Sequence, residues 1–461
     1  MKSRLAVPLA ALLASGALIA QEPPAPPTHT DGAATLTLAD AVERALAHHP
    51  GVEAARARQD EAKAALAEAT AAAHGPRGRI TGSATQYEKP IPVTPIHGFG
   101  PGQFPEFDTT LLQGTLGVNY TLWDGGASGA RIRAAETQVG GAEVGVGSAE
   151  QAVAQQVATA YLTALGRGEV LAAHDLRLVA LRGELSRSQL RFDAGKAARV
   201  EVLRAEAALA SAEADRVGYA TALDNAEREL ARLLDAPVEE TRASRLAPVA
   251  LATELPPRET LAEQGIAASP AVEQARRQIL SAEAQIAVER SATRPELRAV
   301  GNLNDLGSKQ GDFSSEWNAG LQITVPLFDG GVTRSRIARA EAARREAGEQ
   351  LRLAELQVRS DVDRAAAATE QALARAASLD KAVQRFAEVA RIQKLLLDAG
   401  AGTQIDYLNA EADLLSARAS LADARNAAAL ARTDLARATG QLGPDWLRHN
   451  LRPQRPQETA R

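Results

Sequence analysis

The chain has 461 residues, a formal net charge of −5, and Lys and Arg interleaved with Asp and Glu, so nucleic-acid binding is disfavoured. It is 45% hydrophobic but only 3% aromatic, so its apolar surface is largely alanine and small aliphatics, which suit close helix packing better than a thick core. Cysteine is absent, which excludes disulfides, thiolate metal sites and a lipidated N-terminal Cys.

Residues 1–20 read as a signal peptide: Lys2 and Arg4 supply charge, an apolar run follows, and Ala17 or Ala20 offers a small residue for cleavage. The leader over 21–35, with Pro23, Pro24, Pro26 and Pro27, shows no periodicity and is expected to lack fixed structure. A short helix follows, with Thr37 and Asp40 as its N-terminal cap and Pro50 as its stop. A second helix over 51–73 closes at Gly75-Pro76.

The period then changes from 3.6 to 2, the sign of strands. Leu112, Leu116, Val118, Tyr120 and Leu122 lie on one face, with Gln113, Thr115, Asn119 and Thr121 on the other. Their partner covers about 79–87, so a strand pair is expected within 79–122. The insert 88–109 between them holds Pro90, Pro92, Pro95, Pro101 and Pro105 and reads as a long loop.

From Trp123-Asp124-Gly125-Gly126 an Ala-rich helix runs to Phe192-Asp193-Ala194-Gly195, turns over 193–198 and resumes at Val200-Glu201-Val202-Leu203. These elements make a first repeat, 36–235, and a Pro-containing equatorial linker, 236–259, follows. The second repeat, 260–440, carries the same signs. Ser269-Pro270 answers His49-Pro50, and a strand pair over 297–327 alternates Trp317, Ala319, Leu321, Ile323, Val325 and Leu327 with Asn318, Gln322 and Thr324. Phe328-Asp329-Gly330-Gly331 then opens a helix ending at Leu397-Asp398-Ala399-Gly400; the tip spans 398–403, and Ile405-Asp406-Tyr407-Leu408 resumes. Asp124 and Asp329 are 205 positions apart, as are Asp193 and Asp398, so the chain is a duplication. A polar tail occupies 441–461.

In the second long helix Ile337, Ala340, Ala347, Leu351, Ala354, Val358, Val362 and Ala365 recur three, four or seven residues apart, which is coiled-coil spacing. From Asp329 to Asp398 such a helix makes a rod of roughly 100 Å. The two shorter helices of each repeat together match that length, so they are expected to stack end to end beside it. The strand pair then sits at one end of the rod, the Asp-Ala-Gly turn at the other, and the linker and tail partway along.

No run after the signal peptide approaches about 18 apolar residues, so a membrane contact would have to be made by the strands, whose lengths suit the roughly 9 to 11 residues of a membrane-spanning strand. Four strands cannot close a barrel, and an open sheet edge in lipid costs several kcal/mol per unpaired group, so strands in a membrane require oligomerisation. Rods and tips alone would serve a periplasmic coiled-coil adaptor or scaffold equally well.

The ordered set of repeat, Trp/Phe-Asp-Gly-Gly openings, Asp-Ala-Gly tips and hydrophobic-acidic-hydrophobic-Leu continuations resembles the TolC-like outer-membrane efflux proteins, the outer membrane factor family, over about 36–440. The resemblance implies a mainly α fold with a transmembrane β part, in which a homotrimer closes a 12-stranded β-barrel continuous with a periplasmic α-helical barrel. It implies an outer-membrane location reaching into the periplasm, and a passive duct for substrates that an inner-membrane pump delivers through a periplasmic adaptor. Adaptor contact falls on Gly195, Lys196, Ala197 and Ala198 and on Gly400, Ala401, Gly402 and Thr403. The pore aperture falls on Asp406 and Asn409, the latter in place of a second carboxylate, with Glu201 in the equivalent acidic place of the first repeat. A basic latch residue of some relatives falls at Gly402.

Beside these roles, Asp406 has a plain reading as a solvated helix residue, and Gly195 and Gly400 as helix C-terminal glycines. No cofactor, metal site or catalytic constellation is expected. Gly195-Lys196 lacks the rest of a phosphate loop, Gly98, Gly100 and Gly102 sit among prolines, and His48-His49 is a helix end.

Overall fold

A computed structural model describes residues 35–95, 100–102, 104–251, 254–311 and 313–453. The signal-peptide segment and residues 21–34 of the leader lie outside them.

The first repeat contains β1 (Thr35–Leu36), α1 (Leu38–His48), α2 (Pro50–His74), β2 (Arg77–Pro92), β3 (Phe107–Trp123), α3 (Ala127–Asp193) and α4 (Arg199–Leu233). The linker forms α5 (Val238–Ala243), β4 (Arg245–Leu246) and β5 (Val249–Leu251). The second repeat contains α6 (Arg258–Ala268), α7 (Pro270–Ser291), β6 (Glu296–Gly307), β7 (Phe313–Thr324), α8 (Val332–Asp398) and α9 (Gln404–Ala438), and the tail adds α10 (Pro444–Asn450) and β8 (Leu451–Pro453). The duplication is exact in length for the rods: α3 and α8 have 67 residues each, α4 and α9 have 35 each.

Local chemistry sets the ends. Thr37 accepts from the Asp40 N–H to cap α1, and His49 Nδ1 accepts from the Gly51 N–H at 3.0 Å while Pro50 occupies the first turn of α2. At the strand-to-rod junctions Asp124 accepts from the Ser128 N–H at 2.7 Å and Asp329 from the Thr333 N–H at 2.7 Å. The two glycines after each Asp all take left-handed φ, between 66° and 93°, which side chains with a Cβ adopt at a cost. That geometry is what the Asp-Gly-Gly motif encodes.

Four antiparallel strands form one sheet in the order β2-β3-β6-β7. Register gives each face a character. Ile80, Leu116, Leu303 and Trp317 share one row, and all four are exposed. Val118 and Ala319, then Tyr120, Ala299 and Leu321, continue that apolar face toward the rods. Arg79, Asn302 and Asn318 share a row on the opposite face, followed by Thr81, Thr115, Asn304 and Glu316. The expected loop over 88–109 is shorter than the sequence suggested, because β2 continues to Pro92 and β3 begins at Phe107, across a register shift between Gln86 and Ile91. Proline is compatible with β2 because Pro90 falls in the irregular stretch between Gln86 and Ile91 and Pro92 is the strand's last residue. In the second repeat β7 ends at Thr324, short of the expected Leu327, where Pro326 follows.

The rods lie in four columns. The α2 and α4 pair packs along α3, while the α7 and α9 pair packs against both α3 and α8. The core is concentrated at mid-rod, where Val42, Val52, Val157, Leu162, Leu230 and Leu447 pack together. There the Tyr161 hydroxyl lies 2.8 Å from Leu36 O and 2.9 Å from Ala247 O, tying α3 to the β1 and β4 region. The linker and tail meet at this level, β1 pairing with β4 and β5 with β8. In the second repeat Val358 and Val362 are buried against Leu261, Val272 and Leu435.

Candidate tip and aperture site

Each rod ends in the same hydrogen-bonded turn. Gly195 has φ 71° and Gly400 φ 74°; Lys196 N–H donates to Arg191 O at 2.7 Å and Ala401 N–H to Leu396 O at 2.9 Å. Lys196 and Ala198 are exposed, as are Gly400, Ala401 and Thr403, while Ala197 and Gly402 are half-buried. At Gly402 a Cβ would lie 2.9 Å from Leu396 Cβ and 3.1 Å from Leu397 N, so the turn is closed tightly enough that a long basic side chain there would force the backbone apart. The tips also present apolar side chains to solvent, Leu190, Val200 and Leu203 on one, Leu395 and Ile405 on the other.

Asp406 and Asn409 lie one turn apart on the exposed face of α9, while Tyr407 and Ala410 face inward. Thr403 is the N-cap: its Oγ1 accepts from Asp406 N–H at 3.2 Å and donates to Asp406 Oδ2 at 2.6 Å. This reciprocal pair fixes the carboxylate in the first turn of the helix. Glu201 does not join it. Its carboxylate lies 3.8 Å from Arg191 Nη1 of the same hairpin, and its backbone carbonyl accepts from Gln404 Nε2 at 3.1 Å.

Sequence reasoning missed the junction between the two hairpins. Gln404 Nε2 also reaches Glu184 Oε1 at 3.0 Å and Ser188 Oγ at 2.9 Å, and Ser188 Oγ donates to Glu184 Oε1 at 3.1 Å. Glu184, Ser188 and Gln404 are all buried. Arg187 Nη1 lies 2.5 Å from Asp398 Oδ1 and 3.5 Å from Glu184 Oε2. Tyr407 completes the junction, its hydroxyl pushed up to about 12 by burial and then by the nearby Glu411 and Glu184 carboxylates. The available signal was spacing: Glu184 and Ser188 continue the buried stripe of Leu178 and Leu181 on α3. Polar residues at positions that spacing assigns to a seam mark a buried network.

Among the described residues no group of three or more His, Asp or Glu is arranged to hold a metal ion. No described helix is long and apolar enough to cross a membrane.

The fold is thus an antiparallel sheet with one apolar exposed face, set on a helical rod of roughly 100 Å. The model of the outer membrane efflux protein family matches residues 41–236 and 261–441. The outer membrane efflux protein BepC of Brucella suis is 24% identical over 383 residues, covering 79% of this chain and 80% of the relative. The fold matches the outer membrane protein VceC of Vibrio cholerae with a TM-score of 0.69 at 20% identity, over 87% of this chain and 96% of that one. It also matches the CmeC outer membrane channel of Campylobacter jejuni with a TM-score of 0.71 at 17% identity, over 88% and 86% of the two chains. The chain belongs to the outer membrane efflux protein family and is an outer-membrane transport protein.

Proposed function

We propose that three copies of this chain close a 12-stranded barrel in the outer membrane, continuous with a helical tunnel in the periplasm. The duct is passive and carries what an inner-membrane pump delivers through a periplasmic adaptor. The observation that carries this reading is the sheet itself: among the described residues β2 and β7 are each unpaired along one side, and one face is apolar and exposed. Unpaired edges are not tolerated in lipid, so the edges must pair with further copies. Exposed Leu353 and Leu356 along α8 support a second contact of the same kind between rods. A sheet with a lipid-facing side also argues against a periplasmic adaptor or scaffold.

In this reading the two tips are the adaptor-contact surface, through Gly195, Lys196, Ala197 and Ala198 and through Gly400, Ala401, Gly402 and Thr403. Asp406, fixed by Thr403, and Asn409 one turn on would line the aperture, with one acidic ring in place of two. Glu201, with its carboxylate 3.8 Å from Arg191 of its own hairpin, would hold the equivalent acidic place of the first repeat. Outer-membrane fractionation followed by planar-bilayer recording tests the duct. The expected result is discrete conductance from the outer-membrane fraction; a soluble, non-conducting chain would overturn it.

A further inference from the structure

The polar face of the sheet carries charged side chains of both signs near its junction with the rods. Among the described strand residues, the register places Arg77, Arg79, Arg298, Glu296 and Glu316 on that face. Arg298 Nε donates to Glu296 Oε1 at 2.7 Å, which cancels that pair locally. Arg77 shares its row with Asn119, Val300 and Gly320, and among the described residues its guanidinium reaches only Ala72 O, at 3.5 Å. Arg79 shares its row with Gly117, Asn302 and Asn318, all uncharged, and Asn302 Nδ2 is turned to Asn318 Oδ1 at 3.1 Å. Both arginines are exposed and lie at the start of β2, where the sheet meets the rods. Two guanidinium groups per chain are thus left without a carboxylate in their own rows, and the acidic Glu316 lies one row farther from the rods, on the opposite edge strand.

We propose that Arg77 and Arg79 form an anion-selecting collar at the inner end of the barrel, where they would enrich groups such as carboxylate, sulfate or phosphate. The inference rests on the trimeric-duct reading, under which the polar face lines the lumen. Fixed charges in a narrow lumen with low-dielectric walls act over the Debye length of about 8 Å and raise the local concentration of counter-ions. The collar and the Asp406 aperture stand at opposite ends of a rod of roughly 100 Å, so each acts independently of the other.

The test is the reversal potential of the full-length protein in planar bilayers across a potassium chloride gradient, in the native chain and in an Asp398→Ala background that loosens the tip. Arg77→Gln/Arg79→Gln is expected to move the chloride-to-potassium permeability ratio about threefold toward potassium, and Arg77→Lys/Arg79→Lys to leave it near the native value. A Gln double variant that conducts with the native reversal potential overturns the collar. So does a loss of trimer in both the Gln and the Lys variants, which would assign the guanidinium groups to bonding a neighbouring copy. Absence of current from the unsubstituted protein in both backgrounds instead removes the duct reading itself.

Discussion

Arg187 and Asp398 meet at 2.5 Å across the two hairpins, although α3 and α8 are held apart through most of the rod by the α7 and α9 column. The columns therefore converge at the tip, and this ion pair joins the end of the second rod directly to the last turns of the first. Both side chains are partly exposed, so the pair is adjustable in a way that a buried contact is not.

Breaking that tie is expected to loosen the tip. A partly exposed pair contributes about 0.2–1 kcal/mol, so Arg187→Ala or Asp398→Ala should raise the open fraction by up to about fivefold. Single-channel open probability checks this, and Arg187→Ala with unchanged gating would show that the pair only decorates the surface.

The buried junction beneath it should matter more. Gln404→Leu leaves the buried Glu184 and Ser188 without their amide partner, a loss of about 1–3 kcal/mol. Hydrogen exchange across 184–188 and 201–205 is expected to quicken at least about fivefold, with mid-rod segments around Tyr161 unchanged.

Asp406 serves both as an acceptor for the Thr403 hydroxyl and as a fixed charge, and two substitutions separate these. Asp406→Asn keeps an acceptor and removes the charge, so cation preference should fall while α9 stays capped. Asp406→Ala should lower cation preference and also fray the first turn, by about 0.5–2 kcal/mol. Equal reversal potentials in the native chain and both variants would remove Asp406 from the aperture.

His174 gives the first hairpin an acid sensitivity. It is buried on α3 with its ring 4.0 Å from that of Tyr219 on α4, and Nδ1 has no hydrogen-bond partner. Burial, then Arg177, holds its pKa below the ordinary 6.5, with Asp215 and Asp175 opposing. The folded state therefore binds fewer protons than the unfolded one. The contribution is fully present above pH 6.5 and is lost as pH falls from there through the lowered folded value. Limited proteolysis of the α3–α4 hairpin should quicken between pH 7 and 5, and His174→Gln should flatten that dependence.

Much of this fold is legible in the sequence because its parts are periodic. The Asp-Gly-Gly and Asp-Ala-Gly motifs encode left-handed glycines at fixed places, and the apolar seam of α8 is realised by buried Ala340, Ala347, Val358 and Val362. The ends of β2 and β3 were hidden by prolines, whose cost depends on whether they fall in a bulge or at a strand end, a fact of register and not of composition. The tip junction was hidden for a related reason. Gln404, Glu184 and Arg187 look like ordinary helix-surface residues until the two hairpins are brought together, more than 200 positions apart in the chain.

The strand-to-rod junction is expected to be intolerant of a side chain at Gly125. Its φ is 67°, and an added Cβ would lie 2.6 Å from Arg294 Cβ and 3.0 Å from Ser291 O, in the contact where Arg294 Nη1 donates to Gly125 O at 2.7 Å. Gly125→Ala should reduce the amount of assembled protein in the outer membrane severalfold. Gly129→Ala, in the first turn of α3 with an added Cβ in ordinary contact at 3.8 Å with Arg133 Nη1, should leave it near native levels.

The central claim is that this four-stranded sheet is completed by copies of itself, and the stoichiometry of the detergent-extracted outer-membrane protein tests it most directly. Native mass spectrometry should give a single species of three chains, with no added protein needed to close the barrel. A stable monomer or dimer under the same conditions would contradict it.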